Sequence, residues 1–169
     1  MDVSSLLGTV FEVYVCKMKW RQRKMETIIA TIRPEHLRNI RIGKKKFEIR
    51  KTVPSPLKIG QPVRCLCCES GSGGKIKAEF IIDKVHIETI DGFLRRNNGN
   101  IDPWAYIDGT CIQWKFICDY MRNQQLQPIY FWHISNMIDY CSTKGYRMRN
   151  ISEFGLKRPP QSWQFVKEA

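Results

Sequence analysis

The sequence lacks several features of membrane, secreted and metal-binding proteins, and each absence narrows the classes that fit it. The apolar stretch over residues 6–15 is interrupted by Glu12 and is shorter than the about 20 residues that a membrane helix needs. Basic residues follow this stretch, whereas a secretory signal has them in front. The cysteine cluster around Cys67 has no second cluster with which to complete a zinc site. We therefore expect no membrane partner, no metal and no cofactor.

The seven cysteines give no sign of a disulfide framework. Their number is odd, and Cys65, Cys67 and Cys68 crowd into one predicted strand, where neighbouring side chains alternate between faces. A reducing cytoplasm is therefore the expected compartment, with buried thiols that bind no ligand.

Acidic residues are few relative to basic ones. The chain has 28 Lys and Arg against 16 Asp and Glu, a formal charge of +12 over 169 residues. Such a field attracts polyanions, and aromatic residues near the basic ones favour nucleic acid over an anionic membrane. The alternative is a generically basic protein whose charge only keeps it soluble.

The length predicts one domain, preceded by a segment of different character. Residues 1–24 are predicted to be an N-terminal extension, either disordered or a mis-annotated leader, that the fold does not need. A clean strand pattern begins at Met25, so residues 25–169 are predicted to form the domain.

The periodicity of the domain predicts an α+β fold that is mainly β: a small, partly open β-barrel with short helices inserted between strands. Beyond Asp83 the apolar positions change parity, which predicts either a bulge or burial on both faces of the strand. The predicted strands cover 27–33, 46–51, 63–69, a segment from Ile76, 129–138 and a last segment from Trp163, and helices cover 34–42 and a segment from Thr110.

The second predicted strand carries the most informative side chains. Phe47 and Ile49 share one face, which we expect in the core, and Lys46, Glu48 and Arg50 share the other. Lys45 has the wrong parity for the charged face, so it must lie at the strand entrance if it is to meet Glu48. Arginine, lysine and carboxylate together suit recognition of a phosphate and a base edge. A solvated face with one salt bridge is an equally good interpretation.

Two later segments combine aromatic and polar groups. Trp132 and His133 lie in a strand that is apolar on both sides, which favours core residues over ligands. Gln161, Ser162 and Trp163 follow two prolines beside Lys157 and Arg158. This sequence suits stacking on an unpaired base, and equally a tryptophan that closes one end of the barrel.

Several short blocks, in order, resemble the ASCH family in its bacterial and phage members. They are Ile32-Arg33-Pro34-Glu35, then Gly43-x-Lys45-x-x-Glu48-x-Arg50, Lys77-Ala78-Glu79-Phe80, Trp132-His133-Ile134 and Pro160-Gln161-Ser162-Trp163, and they extend over roughly residues 25–168. The resemblance implies a PUA-like β-barrel whose cleft is bordered by the signature strand, and binding of RNA or other nucleic acid. Some relatives are enzymes, namely an amidohydrolase acting on N4-acetylcytidine and a ribonuclease. The amidohydrolase type has threonine where this chain has Glu48.

The residues and the resemblance together support two main hypotheses. In an RNA-binding protein, the contacts come from Arg33, Lys45, Glu48, Arg50, Lys51, Gln161, Ser162 and Trp163. In a small hydrolase acting on a modified nucleoside or on RNA, Lys45 activates water or stabilises an oxyanion, and Glu48 or Glu79 moves the proton. A protein-interaction adaptor is a third option. The ligand and the oligomeric state are left open.

Overall fold

A computed structural model describes residues 25–99, 102–122, 124 and 126–167, so the predicted extension over 1–24 lies outside the described residues. The strands are β1 Thr27–Ile32, β2 Phe47–Arg50, β3 Val63–Glu69, β4 Lys75–Glu88, β5 Tyr106–Ile107, β6 Ile112–Gln113, β7 Ile129–Asp139, β8 Arg149–Asn150 and β9 Trp163–Val166. The helices are α1 Pro34–Arg41, α2 Ser55–Lys58, α3 Ile90–Arg96 and α4 Trp114–Met121.

Seven strands form one mixed sheet in the order β2-β7-β4-β3-β1-β9, with β8 paired to β4. The β1–β3 pair is parallel, and the other pairs in this sheet are antiparallel. The sheet curls into a half-barrel whose two edge strands are β2 and β9. The predicted fold class, α+β and mainly β, is confirmed.

Local sequence signals account for the elements at the start of the domain. Pro34 opens α1, where the missing N–H of proline carries no cost, and Glu35 in the first turn complements the helix dipole. Gly43, with φ +73°, follows the helix and adopts the left-handed conformation that other residues avoid. The chain then enters β2, as the sequence predicts.

The strand pairing also confirms the predicted bulge. The register of β4 against β7 shifts between Ile82 and Val85, next to Asp83, where the apolar positions change parity. This shift bends the long strand and lets it pair with β7 on both sides of the irregularity. The curl of the half-barrel follows from such local increases in twist.

The apolar side chains form three buried clusters. The concave interior of the half-barrel holds the first, including Ile28, Phe80 and Trp132. The second covers the opposite face of β3 and β4, and the third joins α4 to the outer face of β2 and β7. The half-barrel therefore has buried side chains on both of its faces.

Three expectations from the sequence need correction. The helix predicted from Thr110 begins at Trp114, because residues around Thr110 form the turn between β5 and β6. The short helix α3, Ile90–Arg96, is absent from the helices that the sequence predicts. Cys65, Cys67 and Cys68 are buried as expected, whereas Cys118 and Cys141 are exposed. None of the helices in the described part of the chain has the length and hydropathy of a membrane span.

Candidate functional site

The two edges of the half-barrel are joined by side chains. We call this join between β2 and β9 the seam. Arg50, at the end of β2, donates from Nη1 to the carbonyl and the hydroxyl oxygens of Ser162, both at 3.2 Å, and from Nη2 to the carbonyl of Thr31 at 2.8 Å. Trp163 Nε1 donates to Thr52 Oγ1 at 2.9 Å. Side-chain hydrogen bonds therefore hold the seam.

Glu48 and Arg50 point into the half-barrel at the seam. In the β2–β7 register, Glu48 lies opposite Trp132 and Arg50 opposite Tyr130, and directly opposite residues of an antiparallel pair share a face. Trp132 belongs to the interior apolar cluster, so the charged face of β2 is the interior one. Lys45, Glu48 and Arg50 are 1%, 6% and 7% exposed, which excludes the solvated face that the sequence also allowed.

Lys45 reaches this interior from the strand entrance, as its parity predicts. Its Nζ lies 3.4 Å from Glu48 Oε2, an ion-pair contact, and donates to the carbonyl of Thr110 at 2.9 Å. The turn that carries Thr110 is held close because Lys46 and Phe47 donate to the carbonyl of Gly109. A Cβ on Gly109 would lie 3.0 Å from the Phe47 ring, so the close approach requires glycine. Burial lowers the pKa of Lys45, against the opposing attraction of Glu48.

Lys45, Glu48, Arg50 and Trp132 form what we call the seam cluster. Glu48 Oε1 is 3.0 Å from Arg50 Nη2, and the Arg50 guanidinium lies 5.6 Å from the centre of the Trp132 ring. Three buried atoms of the cluster have no hydrogen-bond partner in the described part of the chain: Glu48 Oε2, Arg50 Nε and Trp132 Nε1. Buried polar atoms are normally paired, so this group of one acceptor and two donors marks a place where a polar ligand gains contacts.

His36, on α1, was not identified from the sequence and borders the seam cluster. Its Nδ1 is buried without a hydrogen-bond partner in the described residues. Burial is the main cause that lowers the pKa of His36; the positive charge of Lys45 lowers it further and Glu48 opposes the shift. His36 lies four residues before the buried Ile40 and therefore on the same side of α1, which is the sequence signal that could have indicated an inward-facing side chain.

Two aromatic residues lie where the seam cluster approaches the surface. The ring of Trp163 packs edge to face on Trp132 at 6.3 Å. Lys51 Nζ stands 4.5 Å from the centre of the Tyr120 ring. Tyr120, on α4, was also missed from the sequence. Burial raises its pKa, and the charges of Arg50 and Glu48 both act on its hydroxyl, which shows that it lies near the cluster.

The remaining predicted site residues divide between the seam and distant positions. Arg33 and Gln161 are exposed, and Arg33 lies 3.9 Å from Glu35. Ser162 holds Arg50, as described above. Glu79 lies opposite Leu66 in the β3–β4 register, on the other face of the sheet from the seam cluster, and its carboxylate binds Arg64 and Tyr140. The structure therefore brings Lys45, Glu48, Arg50, Ser162 and Trp163 together and leaves Glu79 apart.

The prediction that Trp132 and His133 are core residues holds for Trp132 and not for His133. Trp132 is fully buried. His133 faces the opposite side of β7, where its Nδ1 lies 2.6 Å from Asp83 Oδ1 and its ring contacts Phe47. Neither of these two contacts of His133 involves the seam cluster.

Comparison with solved structures identifies the architecture. The ASCH protein of Zymomonas mobilis and two single-substitution variants of it superpose on this chain with TM-scores of 0.56, 0.60 and 0.60 at 13%, 14% and 14% identity. The chain has the ASCH fold. Each superposition covers 83% of this chain, and they cover 87%, 88% and 90% of the respective Zymomonas chains. No family model and no curated protein matches the sequence, so the ASCH fold is apparent from the structure and from the short blocks noted above.

Proposed function

We propose that this ASCH-fold protein binds RNA or another single-stranded nucleic acid by taking one base into the seam. The observation that carries the proposal is a set of three buried atoms without a hydrogen-bond partner in the described residues, namely Glu48 Oε2, Arg50 Nε and Trp132 Nε1. Of these, Glu48 Oε2 keeps its ion-pair contact with Lys45. A base edge offers an exocyclic amine to a carboxylate and ring acceptors to the two N–H donors. The buried environment strengthens such contacts and gives them selectivity, because an unmatched edge leaves a buried group unpaired.

The aromatic residues at the seam supply the apolar part of this contact. Trp163 and Tyr120 present ring surfaces at the point where the seam meets solvent, and Trp132 lies behind them. Stacking on aromatic rings contributes about 1–3 kcal/mol per base. In this proposal Trp163 releases its hydrogen bond to Thr52 when a base enters. The loss of this one modest hydrogen bond is offset by the several contacts that the base gains in the seam.

Backbone phosphates are bound by exposed cations in this proposal. Lys45 and Arg50 are buried. Their side-chain nitrogens already donate or pair within the fold, except for the Nε of Arg50. Their proposed role is to orient the Glu48 carboxylate toward the base. The phosphate contacts predicted from the sequence then fall to Arg33 and Lys51, which are exposed. The charge of +12 predicts affinity that falls steeply with salt.

Fluorescence anisotropy with a labelled single-stranded RNA at low salt tests the proposal. Saturable binding is expected, and Glu48→Gln should weaken it about tenfold, or ~1.4 kcal/mol. Glu79→Gln is the matched control, because it alters a buried Glu–Arg pair on the opposite face and should leave affinity unchanged. Circular dichroism melting confirms that both variants fold. Absence of saturable binding, or equal effects of the two variants, would refute the proposal.

A second function, hydrolysis of an N-acylated nucleoside amide, is favoured by one observation. Burial lowers the pKa of Lys45, which moves a lysine toward the neutral form that can act as a base or a nucleophile. Water would add to the acyl carbon, the bond to the base nitrogen would break, and the proton would pass to that nitrogen through Glu48. Turnover of N4-acetylcytidine to cytidine and acetate, lost in Lys45→Met and retained in Glu79→Gln, is the result this function requires.

The compartment expected for either function is the cytoplasm. The expectation rests on the free thiols of Cys65, Cys67 and Cys68, because reduced cysteines are typical of cytosolic proteins. A reporter fusion or fractionation of cells would test it directly.

A further inference from the structure

An exposed aromatic surface adjoins the seam on its α4 side. Four large aromatic residues from the loop before β5 to the end of α4 are 43% to 68% exposed, namely Trp104, Tyr106, Phe116 and Tyr120. Single exposed aromatics are ordinary on protein surfaces, but a local concentration of them marks an interaction site. We refer to Trp104, Phe116 and Tyr120, with the lysines that cover their rings, as the aromatic face.

The helix geometry places two of these rings in a row. Phe116 and Tyr120 are four residues apart on α4, so they project from the same side about 6 Å apart along the helix axis. The opposite side of α4 packs Trp114, Ile117 and Met121 into the fold, which fixes the orientation of the helix. The two rings are therefore held outward by a rigid element.

Trp104 extends this row at the beginning of α4. The backbone N–H of Lys115 donates to the carbonyl of Pro103 at 2.8 Å, and that of Trp114 donates to Ala105 at 3.1 Å. These bonds tie the segment around Trp104 to the first turn of the helix. Lys115 Nζ lies 4.7 Å from the centre of the Trp104 ring, a cation–π contact immediately before Phe116 in the chain.

At its other end the aromatic face is continuous with the seam. Lys51 stands over the Tyr120 ring, directly follows Arg50 of the seam cluster, and directly precedes Thr52, which accepts from Trp163. From Lys51, the aromatic residues follow in the order Tyr120 and Phe116 along α4, and then Trp104 beside the first turn of that helix.

We propose that the aromatic face binds the nucleotides that flank the base held in the seam, by stacking of successive bases on Tyr120, Phe116 and Trp104. The inference rests on the proposed function and specifies the ligand as a single strand of several nucleotides. Base faces suit exposed rings regardless of sequence, and the lysines beside the rings suit the intervening phosphates. Asp102 and Asp119 share this surface, so stacking, rather than net charge, must supply most of the added affinity.

The test compares a trinucleotide with a nonanucleotide, and the nonanucleotide with a version whose flanking positions are abasic. The full nonanucleotide is expected to bind at least tenfold more tightly than the trinucleotide, and the abasic flank should remove most of that gain. Phe116→Ser and Trp104→Ser should each remove several-fold of the gain and leave trinucleotide affinity unchanged. Tyr146→Ser, which changes an exposed aromatic residue elsewhere, is the matched control.

The salt dependence separates stacking from charge. Because Phe116→Ser removes no cation, the slope of log affinity against log salt should stay the same, whereas Lys115→Ala should lower it by about one. Trinucleotide binding without a gain from flanking bases, or a gain that Phe116→Ser leaves intact, overturns this inference while the proposed function stands. Failure of every oligonucleotide to bind overturns both. Self-association of the protein that Phe116→Ser abolishes would instead assign the face to a second copy of the chain.

Discussion

Two buried Glu–Arg pairs lie on opposite faces of the same sheet, and they differ in how fully their polar atoms are paired. On one face, Glu79 accepts from Arg64 Nε at 3.0 Å, contacts Arg64 Nη2 and accepts from the hydroxyl of Tyr140. At the seam, Glu48 pairs with Arg50 through one oxygen, while its other oxygen has only the ion-pair contact with Lys45.

The comparison separates a structural pair from a candidate binding pair. The Glu79 group is complete in itself: Tyr140 stacks on Tyr146, and burial together with Glu79 raises the pKa of the Tyr140 hydroxyl, which therefore stays a donor. The seam cluster has unpaired acceptors and donors at Glu48, Arg50 and Trp132. Incomplete pairing in a buried cluster costs stability, and proteins retain that cost where function requires it.

The largest expected effect comes from removing the arginine of each pair. Arg50→Met should lower the free energy of unfolding by about 3–5 kcal/mol, because it leaves Glu48 buried beside Lys45 alone and removes the hydrogen bonds that hold the seam. Arg64→Met should cost about 1–3 kcal/mol, since the Arg64 side chain is 25% exposed and Glu79 keeps Tyr140. Urea denaturation measures both. A loss for Arg64→Met that equals or exceeds that for Arg50→Met would contradict the comparison.

Two smaller effects should separate stability from RNA binding: Tyr140→Phe should change mainly stability, and Lys45→Met should change mainly binding. Tyr140→Phe removes a donor from a complete group, so it should destabilise by about 1–2 kcal/mol and leave RNA affinity unchanged. Lys45→Met removes an ammonium whose pKa burial lowers, which means that its charged form is less favourable folded than unfolded. Lys45→Met leaves Glu48 paired with Arg50, so it should cost less stability than Arg50→Met, and it should weaken RNA binding several-fold.

Thermal melting and anisotropy on the same preparations check this crossover. Lys58→Met, at an exposed lysine on α2, is the control for loss of one positive charge. If Lys45→Met destabilises as much as Tyr140→Phe and binds RNA normally, the seam cluster is a structural pair like that of Glu79.

The sequence was sufficient to predict most strands and one side-chain contact, because these depend on local alternation. The position of Lys45 beside Glu48 follows from parity and the turn at Gly43, and the bulge near Asp83 follows from a change of parity. Parity does not say which face is interior. Glu48 and Arg50 face inward because α4, distant in sequence, covers Phe47 and Ile49 on the other side.

Residues that reach the site from other elements were beyond sequence reasoning for the same reason. His36 and Tyr120 come from α1 and α4, and nothing near them in the sequence indicates contact with β2. Glu79 was a candidate proton carrier alongside Lys45 in the hydrolase hypothesis, whereas its register with Leu66 directs it to the opposite face. Contacts between elements that are distant in the sequence decide where His36, Tyr120 and Glu79 lie. A single sequence shows only the periodicity of each element.

The smallest expected effect is a pH dependence of stability that comes from His36, which borders the seam cluster and not the Glu79 group. Its pKa lies below the ordinary value of 6.5, through burial first and then Lys45 and Arg33, with Glu48 and Glu35 opposing. Above pH 6.5 His36 is neutral in both states; below it the unfolded chain takes up the proton first, so stability falls as the solution is acidified. His36→Gln should make the urea midpoint depend less on pH between pH 6.5 and 5 than it does in the wild type. Bound RNA should steepen the dependence of wild-type stability on pH only if the base contacts the neutral imidazole of His36. Equal pH dependences with and without RNA would place His36 outside the ligand contact. Glu48, Arg50 and Trp132 would then be the groups that recognise the base.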